Sequence, residues 1–260
     1  MKKRIPFIAG NWKMHMTIPE ARDLAASIVK ASLELNEAEL VVIPPFTALK
    51  EVKKVIEEGP VQLGAQDVYW EDKGAFTGQI SAPMLIDAGC QYVVIGHSER
   101  RQLFGETDMS VNRKIQAALR HGLLPIVCIG ESLEERDKLM TMARVDTQLE
   151  QGLDGLSQES VSKAVFAYEP VWAIGTGKTA TPAQAEEVHA HIRERLAKKY
   201  GNEIAACAII LYGGSVKPSN AYSLAKEENI DGFLVGGASL EASSFIQISK
   251  EASRAYKERN

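Results

Sequence analysis

Apolar residues along this chain come in short continuous runs separated by longer amphipathic stretches. "PFIAG", "ELVVIP", "VQLGA", "YVVIG", "LPIVCIG", "AVFAYEP", "CAIILYGG" and "DGFLVGG" recur in that order. Most are too continuous to alternate between core and solvent, so they read as strands buried on both faces, as in a parallel sheet. The stretches between them carry helical patterning. Two have explicit start signals. Thr181, Pro182 and Gln184 supply an N-cap, a proline at the first helical position and a partner three residues after the cap; Ser132 and Glu135 repeat the capping-box spacing.

Eight strand candidates alternate with helical segments, with no linker rich in Pro, Gly or Ser, which predicts repeated βα units in one domain over residues 1–260. The length suits a closed (β/α)8 barrel, an α/β architecture that folds as one unit at this size. A doubly wound open sheet would show the same alternation.

Composition narrows the setting. With 45% hydrophobic and 25% charged residues the chain has the make-up of an ordinary globular protein, not a disordered one. A net charge of −4 and the lack of a long Lys/Arg run give no footprint for nucleic acid, so an anionic ligand must be held by a local site. No run reaches the roughly 18 apolar residues of a membrane span. The apolar stretch after Arg4 is interrupted by Asn11 and Lys13, too early for the core of a secretory signal. Cys90, Cys128 and Cys207 are widely spaced and make neither a disulfide framework nor a C-x-x-C pair, which suits a reducing cytosol. Cys128, inside an apolar run, is read as structural.

The residues that break the apolar pattern fall at one kind of place. Asn11 and Lys13 follow the first run, His97 and Glu99 the fourth, Glu131 the fifth, Glu169 the sixth, Ser215 the seventh, and Gly236 and Gly237 the eighth. In a parallel barrel these C-terminal strand ends converge on one face, where active sites form. Lys13 follows its strand closely enough to be held in the barrel mouth; the alternative is a surface lysine with its stem packed on apolar atoms. His97 is the one histidine of five that directly follows a strand-end glycine. Glu169, before Pro170, is a candidate general base. His189 and His191 are two apart on a predicted helix and do not share a face, so no metal site is read from them.

Paired glycines in "YGGSV" and "VGGASL", with a third turn at residues 175–177, would let backbone N–H groups cradle a phosphate. The stretch "EPVWAIGTGKTATP" invites a nucleotide P-loop reading, but that motif needs a glycine separated from Gly177 by four residues, and Trp172 stands there. A proline, central glycines and apolar Val171, Trp172 and Ile174 instead suit a loop that closes over a ligand.

"AGNWKM", "GAFTGQIS", "GHSERR", "CIGESLEER", "YEPVWAIGTGKTATP", "YGGSVKP" and "DGFLVGGASL" together, in order over essentially the whole chain, resemble the motif set of the triosephosphate isomerase family. The resemblance implies a (β/α)8 barrel and a cytoplasmic homodimer. It implies interconversion of dihydroxyacetone phosphate and D-glyceraldehyde 3-phosphate, in glycolysis and gluconeogenesis, with no metal or organic cofactor and no nucleic-acid or membrane partner. It makes Glu169 the base, His97 a neutral proton shuttle, Lys13 and Asn11 donors to the oxyanion, and Glu99 an acidic neighbour of Lys13. The phosphate would rest on Gly175, Ser215, Gly236 and Gly237, with Ile174 and Leu234 as an apolar clamp and Lys178 in the lid hinge. Thr77 would reach across the subunit interface. Asp67 stands where asparagine is commoner, and Gln79 where the family usually has glutamate; if that glutamate pairs with an arginine such as Arg100 across the interface, one ion pair is lost. The alternative is a catalytically silent phosphate-binding barrel, which would be expected to lack Glu169, His97 or Lys13. A nucleotide-dependent phosphotransferase is opposed by Trp172.

Overall fold

The computed structural model describes residues 4–33, 35, 38–174 and 179–259. Eight strands, β1 (Phe7–Asn11), β2 (Glu39–Ile43), β3 (Val61–Ala65), β4 (Tyr92–Ile95), β5 (Leu124–Ile129), β6 (Val165–Tyr168), β7 (Ile209–Tyr212) and β8 (Gly232–Val235), pair in parallel in chain order. β8 returns to β1, with Ile8 opposite both Leu40 and Phe233, so the barrel is closed and the open-sheet alternative falls.

Two-sided burial explains the continuous apolar runs. Phe7, Ala9, Val41, Ile43, Val94, Ile126, Cys128 and Leu211 form one cluster on the inward positions. The alternate residues, among them Ile8, Leu40, Val42, Val93 and Phe233, belong to the larger cluster shared with the helices. Alternation is present in the backbone, as strand geometry requires, but both faces meet apolar neighbours.

Helix Pro182–Tyr200 begins as its sequence predicts. The Gln184 N–H donates to Thr181 Oγ1 (3.2 Å), and the Thr181 N–H donates to Gln184 Oε1 (3.0 Å). Ser132 and Glu135 do the same for helix Leu133–Asp137.

The β1–β8 seam depends on buried Asp231. Its carboxylate pairs with Arg4 Nη1 (2.8 Å) and Arg193 Nη2 (2.7 Å), while its carbonyl accepts the Phe7 N–H (3.0 Å). Gly232 follows at φ +149, and a Cβ there would lie 2.0 Å from the Phe7 carbonyl oxygen, so the seam admits only glycine. Among the described residues no helix is long and apolar enough to cross a membrane.

Candidate active site

The C-terminal ends of the strands carry the charged residues. β1 ends at Asn11, and two residues later Lys13 takes φ +52, an uncommon conformation for a side chain other than glycine. Local hydrogen bonds hold that turn. Asn11 Oδ1 accepts the Lys13 N–H (3.0 Å), and Gln66 Nε2 donates to the Lys13 carbonyl (2.7 Å) and to the Ile43 carbonyl (3.2 Å). The turn places the Lys13 ammonium 2.6 Å from Glu99 Oε1.

His97 follows β4 after Gly96, whose φ of +78 turns the chain sharply. It caps helix Ser98–Phe104, its Nδ1 accepting the Glu99 N–H (3.2 Å). With Nδ1 accepting, Nε2 is the ring nitrogen left to donate. That nitrogen lies 3.0 Å from Glu169 Oε1.

Glu169 is 2% exposed and is held by Ser98, whose N–H donates to Oε2 (2.9 Å) and whose hydroxyl donates to Oε1 (3.2 Å). These donors at the start of the helix fix the orientation of the carboxylate. Close approach of the neighbouring strand end fixes its backbone: a Cβ on Gly130 would stand 1.8 Å from the Glu169 carbonyl oxygen.

A cavity of about 390 Å³ opens at this face. Asn11, Lys13, His97, Glu99, Ile174, Ser215, Leu234, Gly236 and Gly237 all line it, as does Lys217. Glu169 does not. It lines a separate cavity of about 230 Å³ with Ser98, Ser132 and Gln148, so its carboxylate is turned behind His97 in this conformation. Gly237 begins a 3-10 turn (Gly237–Leu240), whose first N–H groups have no partner within the turn. A Cβ at Gly237 would meet nothing within 4 Å. Packing therefore does not demand a glycine there; what its bareness leaves open is the cavity.

Other predicted positions lie elsewhere. Glu131 does not reach the cavity, because its Oε1 is taken by Tyr168 Oη (3.1 Å), Trp172 Nε1 (2.8 Å) and Arg136 Nη1 (3.2 Å). It anchors the start of the segment after β6, where its carbonyl also accepts the Val171 N–H (3.1 Å). Thr77 and Gln79 are exposed on the loop after β3, away from the cavity wall. Arg100, expected to be left short of an interface partner, is instead paired inside the chain: with Asp67 Oδ2 (2.9 Å) and Glu106 Oε2 (2.7 Å). Lys114 bridges the same two carboxylates at 2.7 and 2.9 Å, so the buried charges balance, two against two. Gly175 and Lys178 lie outside the described residues.

His189 is buried and His191 pairs with Asp146, 2.7 Å away, so the two histidines serve different neighbourhoods. Burial pushes the Cys128 thiol well above its usual range, which fits a core residue and not a nucleophile. Ser98 and Gln66 escaped the sequence reading. Each sits beside a residue that did not, in "GHSERR" and "GAQDV", but the contact that gives it a role is made across the barrel.

A family model described as Triosephosphate isomerase matches residues 6–252. A curated protein named Triosephosphate isomerase from Moorella thermoacetica is 56% identical over 245 residues, covering 94% of this chain and 98% of that protein. Relatives of the same name from Chloroflexus aurantiacus and Thermoanaerobacter pseudethanolicus are 54% and 55% identical, with the same coverage of both chains.

Proposed function

Because this chain belongs to the triosephosphate isomerase family, we propose that its charged cavity interconverts dihydroxyacetone phosphate and D-glyceraldehyde 3-phosphate by carrying one proton between adjacent carbons through an enediolate. One observation carries the assignment of roles: Glu169 Oε1 and His97 Nε2 are 3.0 Å apart, beside a cavity that also holds the Lys13 ammonium.

The chemistry sets three requirements. A hydrogen next to a carbonyl is weakly acidic, so a base must take it while donors stabilise the charge that develops on oxygen. Glu169 takes the proton and returns it to the neighbouring carbon. His97, neutral with its hydrogen on Nε2, donates to the carbonyl oxygen and then moves a proton between the two oxygens. Lys13 and Asn11 donate to the oxyanion, with Glu99 holding the Lys13 ammonium in place. For this the Glu169 carboxylate has to exchange its two bonds from Ser98 for a position at the cavity wall.

The phosphate rests on Ser215, Gly236 and Gly237, with Gly175 assigned the same role by family resemblance. Ile174 and Leu234 supply apolar wall that keeps water from the enediolate. One barrel domain carries the whole site.

A homodimer is supported by the rim. Met14, Phe46, Phe76, Leu103 and Phe104 are exposed on the segments after β1, β2, β3 and β4, which are neighbours around the barrel. Thr77 and Gln79 belong to that sector. Three free cysteines support a cytosolic setting, where glycolysis and gluconeogenesis would use the reaction.

The test is a coupled assay with D-glyceraldehyde 3-phosphate on metal-stripped protein, wild type beside Glu169→Gln. The wild type should convert substrate rapidly, and the variant should lose about 10²- to 10⁴-fold in kcat. A folded but inactive wild type that still binds phosphate would replace this reading with the silent phosphate-binding barrel.

A further inference from the structure

A triose phosphate is a dianion, and this chain carries a net charge of −4, so at long range the molecule repels its own substrate. Charge at the mouth has to reverse that. Lys13 does so only in part, because its ammonium is neutralised by Glu99 Oε1 at 2.6 Å. His97 accepts at Nδ1, Glu169 is turned behind it and does not line the cavity, and Asn11, Ser215, Gly236 and Gly237 offer dipoles without charge. Lys217 is different. It lines the same cavity, its side chain is exposed, and among the described residues it makes no ion pair. Its backbone is anchored, the Lys217 N–H donating to Asn220 Oδ1 (2.8 Å) at the start of helix Pro218–Ala225. An anchored backbone carrying an uncommitted ammonium thus stands two residues from Ser215, on the phosphate side of the mouth.

We propose that Lys217 is the electrostatic entry residue for the substrate: its free ammonium draws the phosphate dianion toward Ser215, Gly236 and Gly237 and takes no part in proton transfer. The inference rests on the isomerase reading of this cavity. It assigns Lys217 to association and Lys13 to chemistry, although both are lysines on one wall.

The experiment compares wild type, Lys217→Gln, Lys217→Arg and Lys30→Gln with D-glyceraldehyde 3-phosphate across a salt series. Lys30 ends helix Ile18–Ser32 on the opposite face of the barrel, so its substitution changes net charge without touching the mouth. At ionic strength near 0.01 M, Lys217→Gln should lower kcat/KM about five-fold, as expected for one charge acting on a dianion within a Debye length. Near 0.5 M, where screening reaches only a few ångströms, the gap should shrink to about 1.5-fold or less. The loss should appear in KM and not in kcat. Lys217→Arg should keep the salt dependence of the wild type, Lys30→Gln should lose much less than Lys217→Gln at low salt, and the inhibition constant of inorganic phosphate should weaken in step with Lys217→Gln. Equal kcat/KM for wild type and Lys217→Gln at low salt would overturn the proposal, as would a loss confined to kcat or an equal loss in Lys30→Gln. An inactive wild type would instead overturn the isomerase reading, and calorimetry of phosphate binding across the same salt series would then still decide whether Lys217 attracts the anion.

Discussion

At the scale of single residues, the buried titratable groups divide by whether they have partners. Glu169 accepts from Ser98 twice and faces His97, whereas His189 is fully buried with Nδ1 near the Asn229 carbonyl (3.3 Å) and, among the described residues, no partner for Nε2. Burial pushes His189 down to about 3, so the folded protein keeps it neutral across the range where an unfolded chain would protonate it. The sign follows from linkage. Below about pH 6.5 the unfolded state binds a proton that the native state refuses, so stability falls with pH at about 1.4 kcal/mol per unit until the native value is reached. His189→Asn keeps a donor for Asn229 but cannot titrate. Urea unfolding at pH 7 and pH 5 should show the wild type losing about 2 kcal/mol more than the variant. Equal losses in both would mean that His189 takes up its proton in the folded state too.

At the scale of elements, the caps do measurable work on where helices begin. Thr181→Ala removes the acceptor for the Gln184 N–H and should cost about 1 kcal/mol of stability, with Thr181→Ser recovering most of it. An unchanged urea midpoint would show that packing of Ala185 and Val188 alone fixes the first turn. These caps were legible because a capping box is local: its partners are three residues apart. The strands were legible for a related reason, since burial on both faces leaves a continuous apolar run that needs no knowledge of neighbours. Closure was less visible, because pairing of β8 with β1 joins the two ends of the sequence. The hold of Ser98 on Glu169 joins the end of β4 to the end of β6, and Asp67, Arg100, Glu106 and Lys114 meet from separate segments. Such contacts follow from barrel register, which no single stretch encodes. Family resemblance named the residues of the mouth, but it did not say that Glu169 would face away from the cavity.

At the scale of the whole molecule, the departures at Asp67 and Gln79 take a simpler form than their positions suggested. Arg100 has Asp67 and Glu106 within its own chain, so it does not depend on a carboxylate from a second subunit. Association would then rest mainly on the apolar rim and on Thr77. Thr77→Arg places a charge in that sector and should convert a dimer to monomers by sedimentation, with activity falling alongside. A wild type that sediments as a fully active monomer would remove the interface from the account.

The β1–β8 seam also bears on how the molecule is made. β1 is synthesised before the other seven strands of the barrel, but its second neighbour is the last of the eight. Until β8 leaves the ribosome, a nascent chain carries an unsatisfied strand edge on each side of the growing sheet, the kind of surface that recruits other chains. Loss of the residues from Asp231 onward would therefore not yield a slightly smaller barrel. It would leave an open sheet with both borders available for aggregation, and Arg4 and Arg193 without the Asp231 carboxylate they share.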